Sequence, residues 1–160
     1  MKIIKIDGGM GNQMFQYAFA CKLKKLYPTQ DVLLDISNFK GQIDRSYELK
    51  RVFDVKMPVA PPFQKCRFTF PFSTNTKWGG RMHSRLGKYF NRDIYAEKRP
   101  NYFSFSEEPL KIAGSCYYTG VYFNEGYFAD ISDEIRSVFT FKQPLVGSFK
   151  KIREEIEVTC

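Results

Sequence analysis

Apolar residues in this chain fall in short blocks divided by glycine, proline and charge, and the spacing inside the blocks alternates between extended and helical. Residues 2–6 (Lys-Ile-Ile-Lys-Ile) read as a buried strand. From residue 12 to residue 26 apolar side chains recur at helical spacing, with Phe15, Ala18, Phe19, Leu23 and Leu26 on one face, and Pro28 ends the run. Residues 32–36 (Val-Leu-Leu-Asp-Ile) are strand-like again, so the chain opens as β-α-β, which predicts parallel strands joined by a right-handed crossover. Residues 58–80, with Pro58, Pro61, Pro62, Pro71 and Gly79-Gly80, predict an irregular aromatic loop. Residues 81–95 predict a basic helix containing Leu86 and Phe90, and residues 112–123 a strand. Phe128, Ile131, Ile135, Val138 and Phe139 line one face of a following helix, and a last short helix is expected over residues 145–157. No internal repeat or low-complexity tract interrupts the pattern. The expected fold class is α/β, a Rossmann-like parallel-sheet domain.

The first strand runs through Asp7-Gly8-Gly9-Met10-Gly11-Asn12-Gln13 directly into the first helix. Glycines allow positive φ and close approach of backbone N–H groups, while a helix start offers unpaired N–H groups and the positive end of its dipole. Such a turn suits a phosphate. A dinucleotide fingerprint would need a small residue where Met14 stands, and a P-loop would need Gly-Lys-Ser/Thr. Asp35, near the end of the second strand, occupies roughly the position where a Rossmann acid would meet a ribose hydroxyl, or where an aspartate would cap the next turn.

Gly8-Gly9-Met10-Gly11-Asn12-Gln13-Met14-Phe15-Gln16-Tyr17-Ala18 resembles the N-terminal motif of the family 11 glycosyltransferases, the bacterial α-1,2-fucosyltransferases. Tyr47-Glu48-Leu49 followed by Phe53 resembles the family's early Tyr-x-Leu element. Gly120-Val-Tyr122-Phe-Asn124-Glu125-Gly-Tyr127-Phe128, running on to Ile135-Arg136 and Phe139, resembles its central segment. The match is weakest between about residues 60 and 110. The family's His-x-Arg-Arg-Gly-Asp motif, whose arginine binds the donor diphosphate, does not occur in this sequence. His83-Ser84-Arg85-Leu86-Gly87-Lys88 approaches it, but Lys88 stands where aspartate belongs and the segment precedes Tyr122 instead of following it. The expectation is therefore the N-terminal half of a two-domain GT-B-type enzyme, residues 1–160, without its C-terminal GDP-fucose-binding domain and inactive alone.

The resemblance implies inverting transfer of fucose from GDP-fucose to a galactose hydroxyl of an oligosaccharide or lipid-linked glycan. It makes Asn12 the catalytic candidate, donating with the amides of Gly9 to Asn12 to the departing β-phosphate; the alternative is that Asn12 caps the first helix. Gly8, Gly9, Gly11 and Gln13 are candidates for the donor side, and Tyr122, Asn124 and Tyr127 for the acceptor. No metal or other cofactor is implied, and the chain has no Asp-x-Asp sequence to bridge a cation to a diphosphate. The lone His83 has no second histidine to work with as a base.

Composition sharpens parts of this picture. Phe and Tyr number 16 and 10, an excess that suits a sugar-stacking surface or faces made for another domain as well as a core. The net charge of +8 is concentrated: Lys65, Arg67, Lys77, Arg81, Arg85, Lys88, Arg92, Lys98 and Arg99 lie between Pro61 and Tyr102 against only Asp93 and Glu97. That patch fits a nucleotide-sugar, a lipid-pyrophosphate acceptor or an anionic membrane face, as well as a plain solvated surface; nucleic-acid motifs are absent from the sequence. Cys21, Cys66, Cys116 and Cys160 form no C-x-x-C pair, and the N-terminus lacks the apolar stretch of a signal peptide. A cytoplasmic protein, with peripheral contact to the inner face of the membrane, is expected. A non-catalytic glycan-binding α/β domain is the alternative reading.

Overall fold

The computed structural model describes residues 1–41, 43, 45–69, 93–98, 103–144 and 146–159. Four short strands, β1 (Lys2–Lys5), β2 (Val32–Asp35), β3 (Ile94–Ala96) and β4 (Cys116–Thr119), form one sheet in the order β2-β1-β4-β3. All pairings are parallel, with Ile3 opposite Leu33 and Tyr117, and Ile4 opposite Leu34 and Tyr118. The α/β class and the parallel sheet follow from that pairing.

Parallel sheets are stable when both faces are covered, and here alternate residues feed two cores. On one face Ile4, Leu34 and Tyr118 pack with Phe19, Ala20 and Leu23 of helix α1 (Met10–Leu26). On the other, Ile3, Leu33 and Tyr117 pack with Ala60 and with Phe68 of helix α3 (Pro62–Thr69). Helix α2 (Leu49–Val52) adds Leu49 to the first core. Helix α4 (Ser132–Val138) follows two 3₁₀ turns, and its Ile135 joins Ile131 against Ala18 of α1. Helix α5 (Ser148–Thr159) is amphipathic but leaves Ile152 and Ile156 more than half exposed.

Several sequence expectations are corrected. Helix α1 begins at Met10, two residues early, because positive φ at Gly8 (79°) and extended Gly9 complete the turn before Met10. Within the expected loop of residues 58–80, α3 begins at Pro62, since proline's fixed φ suits a first helical position where no N–H is required. The basic helix expected over residues 81–95 does not extend to its end: Ile94 and Tyr95 lie in β3 beside Tyr117 and Tyr118, where branched and aromatic side chains pack well on a pleated surface. The remainder of that prediction, and residues 70–80 of the loop, lie outside the described residues. The strand expected over residues 112–123 is confined to Cys116–Thr119, because Glu97 Oε2 accepts the N–H groups of Val121 and Tyr122 at 2.8 and 3.2 Å and bends the chain away. Tyr122 accordingly has φ of 52°.

Candidate functional site

In open parallel sheets ligands bind beyond the carboxyl ends of the strands. At that end of β1, Asp7-Gly8-Gly9 turns into α1. Gly9 is the N-cap and has no side chain to cap with, so the first-turn N–H groups keep the freedom that helix geometry gives them. Gln13 N–H is the first to be satisfied, by Gly9 C=O at 3.1 Å. Asn12 is the third helical residue, not the cap, and its side chain makes no hydrogen bond among the described residues. It lies over Gly8: a Cβ placed there would collide with Asn12 Nδ2. Gly8 is thus favoured by its φ, and a side chain there would push the Asn12 amide aside. Gly9 and Gly11 have ordinary φ, and an added Cβ would meet open space at both.

The turn is held from beneath by two glutamines. Gln13, 1% exposed, donates Nε2–H to Gly8 C=O (3.1 Å) and Ser46 C=O (2.9 Å), and its Oε1 accepts Glu48 N–H (3.0 Å). Gln16, fully buried, accepts Asp7 N–H at 3.0 Å and donates to Asp7 Oδ1 and to Gly120 C=O at 3.2 and 2.9 Å, binding the turn after β1 to the loop after β4. Gln13, expected to contact substrate, uses its amide on the backbone, and Gln16, which sequence reasoning passed over, uses its amide on the backbone and on the Asp7 carboxylate. A polar residue repeated on the buried face of an otherwise apolar helix is the signal that marks both.

Beside the turn opens a cleft of ≈ 300 Å³ lined by Gly8, Gly9, Met10 and Gln13 on one side and by Arg45, Ser46 and Glu48 on the other. Arg45 is exposed and lines the same cleft as the glycine turn. It lies thirty-odd residues along the chain in no recognisable motif, so only folding identifies it. Glu48, also in the cleft, is engaged with Ser46 and Arg51.

The acceptor-side candidates lie elsewhere than the cleft. Tyr122 is fully buried with its ring stacked on Phe19, centroids 3.8 Å apart and planes 3° apart. Burial, reinforced by Glu97, pushes its phenol pKa well up. Tyr127 is buried edge-on to Phe19 and Tyr122. Asn124 is tied into a turn: Oδ1 accepts Gly126 N–H at 2.8 Å and Nδ2 donates to Phe103 C=O at 2.7 Å. The tyrosines therefore build the core beneath the loop, and Asn124 shapes the loop.

Asp35, at the carboxyl end of β2, is 3% exposed and fully engaged. Oδ1 accepts Ser37 N–H at 2.9 Å and Lys65 Nζ at 3.0 Å, while Oδ2 accepts the Tyr117 hydroxyl at 2.7 Å. Of the two sequence readings the turn-capping one is seen. Burial opposes its ionisation, but the hydrogen bonds from Ser37, Tyr117 and Lys65 outweigh burial and hold its pKa below the usual carboxylate value. Lys65 thereby joins an internal ion pair; Lys77, Arg81, Arg85, Lys88, Arg92 and Arg99 of the basic patch, and His83, lie outside the described residues.

Among the described residues no group of three His, Cys, Asp or Glu side chains is placed to hold a metal ion. Cys21 is partly buried, and burial pushes its thiol up to about 12; Cys116 is buried and raised to about 11. Among the described residues no helix is long and apolar enough to cross a membrane. Comparisons with protein-family models, with curated proteins and with solved structures find no match to this chain.

Proposed function

We propose that this chain is the N-terminal domain of an inverting galactoside α-1,2-fucosyltransferase of the GT-B type that uses GDP-fucose as donor. The observation that carries the reading is the uncapped start of α1. Glycine inside a helix costs about 0.5–1 kcal/mol relative to alanine, yet Gly11 occupies a helical position with open space where its side chain would be. Among the described residues nothing meets a side chain at Gly11, which leaves the backbone there open to close approach by an external group. An anion is the group that a helix start attracts. The motif resemblance supplies the identity of the anion, a nucleotide-sugar diphosphate.

In this reading the bond from the fucose anomeric carbon to the β-phosphate oxygen breaks as the galactose hydroxyl attacks from the opposite side and gives up its proton to solvent. Negative charge grows on the departing diphosphate. The open first-turn N–H groups and the Asn12 amide, already oriented over Gly8, strengthen their hydrogen bonds as that charge develops, which selectively stabilises the transition state. Arg45 adds a positive charge to the cleft. The missing arginine of the His-x-Arg-Arg-Gly-Asp motif would come from the donor-binding domain.

The test is a transfer assay with this chain joined to a donor-binding domain carrying that motif. The expected product is an α-1,2-linked fucosyl galactoside, identified by NMR, while the 160-residue chain alone makes none. Asn12→Ala in the joined protein should lower kcat by roughly ten- to thousandfold, the effect of one preorganised donor. Its denaturation midpoint should not move, because Asn12 is not the helix cap. Absence of transfer by the joined form would overturn the proposal. Galactoside binding without transfer would favour a non-catalytic glycan-binding domain.

A further inference from the structure

We propose that the cavity between α1, the segment after α2 and the segment after α4 is a binding site for a small organic monoanion, a carboxylate carried on an apolar body. It is separate from the cleft at the glycine turn and does not depend on the fucosyltransferase reading. The cavity has a volume of ≈ 360 Å³, a size typical of small-molecule sites. Its walls are tied to one another. Phe141 forms an antiparallel bridge with Phe53, and Lys142 N–H donates to Val52 C=O at 3.0 Å. The ring of Phe139 meets Phe53 edge-on at 5.2 Å and Tyr17 at 6.0 Å. A site held in this way is organised before a ligand arrives.

The donor set decides the ligand class. Tyr17 is buried and lines the cavity together with Lys56. Its oxygen accepts the N–H groups of Lys56 and Met57 at 3.2 and 3.3 Å. Neither amide can take the phenol's own proton, which meets no acceptor among the described residues, and a buried donor left unsatisfied costs free energy until an acceptor reaches it. Burial pushes the Tyr17 phenol pKa up, so the group keeps that proton at neutral pH. In the lining Lys56 and Lys142 stand against Asp54, a net of one positive charge. Lys142 Nζ is anchored on Lys50 C=O at 2.7 Å, which uses one of its three N–H groups. Lys56 Nζ lies 3.5 Å from Asp54 Oδ2, an exposed pair that holds loosely and can share an incoming anion. A phenol donor beside a single excess positive charge matches a carboxylate, whereas a phosphate dianion would leave negative charge uncompensated. Val138 and the half-exposed Phe141 complete the wall. Covering them with carbon removes apolar surface from water, so an organic acid fits better than an inorganic ion.

The experiment follows amide and aromatic NMR shifts of the 160-residue chain during titration with phenylacetate, hexanoate, the neutral phenylacetamide and inorganic phosphate. At least one of the two acids should give saturable shifts at Tyr17, Thr140 and Phe141. Phenylacetamide should bind about tenfold more weakly than that acid, the loss expected when a charge-assisted hydrogen bond becomes a neutral one. Tyr17→Phe should weaken binding of the acid by about tenfold. Lys56→Glu, which reverses an exposed charge and spares the core, should weaken it as much, and Lys40→Glu, an exposed lysine outside the lining, should change nothing. No saturable shift with either acid overturns the site, as does equal binding of phenylacetamide. Binding indifferent to Lys56→Glu, or to Tyr17→Phe in a folded protein, overturns it too; if Tyr17→Phe does not fold, Lys56→Glu alone decides. Phosphate shifting the same residues as strongly would make the cavity a patch for any anion, and the proposal would fall.

Discussion

At the scale of single residues, the glycine turn separates what the backbone needs from what a ligand needs. Gly8 has φ of 79°, and a side chain there would displace Asn12. Gly8→Ala should therefore cost about 1–2 kcal/mol in stability. Gly11 is free of both constraints, so Gly11→Ala should raise stability by up to about 1 kcal/mol while weakening binding of GDP at the turn. Urea denaturation read beside a GDP titration checks the pair. A Gly11→Ala protein that is more stable and binds GDP unchanged would remove the argument for close approach of a phosphate. The glycines were visible in the sequence as a cluster, but their separate roles were not, because φ and the neighbour above each Cα are set only when α1 and its preceding turn are in place. Gln13 shows the same limit: its residue type suits ligand binding, and its burial between Gly8, Ser46 and Glu48 directs it to the backbone instead.

At the scale of elements, β2, α3 and β4 are linked through the buried Asp35 carboxylate, which accepts from Ser37, Lys65 and Tyr117. Its folded pKa lies below the value of the unfolded chain, about 3.9, so its stabilisation is complete above that pH and is lost as pH falls through the folded value. Asp35→Asn should cost about 3 kcal/mol at neutral pH, the effect of breaking a buried charged pair. The difference between the two proteins should shrink as the pH drops below about 4. Denaturation curves over a series of pH values read this out; a gap that stays constant down to acid pH would mean that the ionised carboxylate adds nothing. The element types near the N-terminus, β1, α1 and β2, were legible from apolar spacing because each buries a continuous face in the sheet core. Strand β3 was not, because three residues carry too little periodicity to oppose a helical reading, and their pairing with β4 is what makes them a strand.

At the scale of the molecule, several exposed apolar side chains lie on α5 and the segment before it. Ile152 is 51%, Ile156 57% and Val146 71% exposed, and Phe141 nearby is 55% exposed. Exposed apolar side chains grouped on one segment bind hydrophobic dyes and promote association. The chain should therefore enhance dye fluorescence, and Ile152→Lys combined with Ile156→Lys should lower that enhancement with little change in denaturation midpoint. A chain silent towards the dye would mean that α5 covers itself in solution.

The order of residues along the chain was enough to determine the α/β class, the parallel β-α-β opening and the position of a glycine turn at a helix start, because these depend on interactions over a few residues: apolar periodicity, glycine's backbone freedom and proline's loss of an N–H. Tertiary structure alone decided which polar residues serve the fold and which remain open. It buried Gln13, Gln16, Asp35, Tyr122 and Tyr127, left the Asn12 side chain without a hydrogen bond among the described residues, brought Arg45 to the cleft and set Phe103 against Phe123. The physical reason is that a polar group's role depends on whether a partner from a distant segment reaches it before water or ligand does, and no local spacing encodes that meeting.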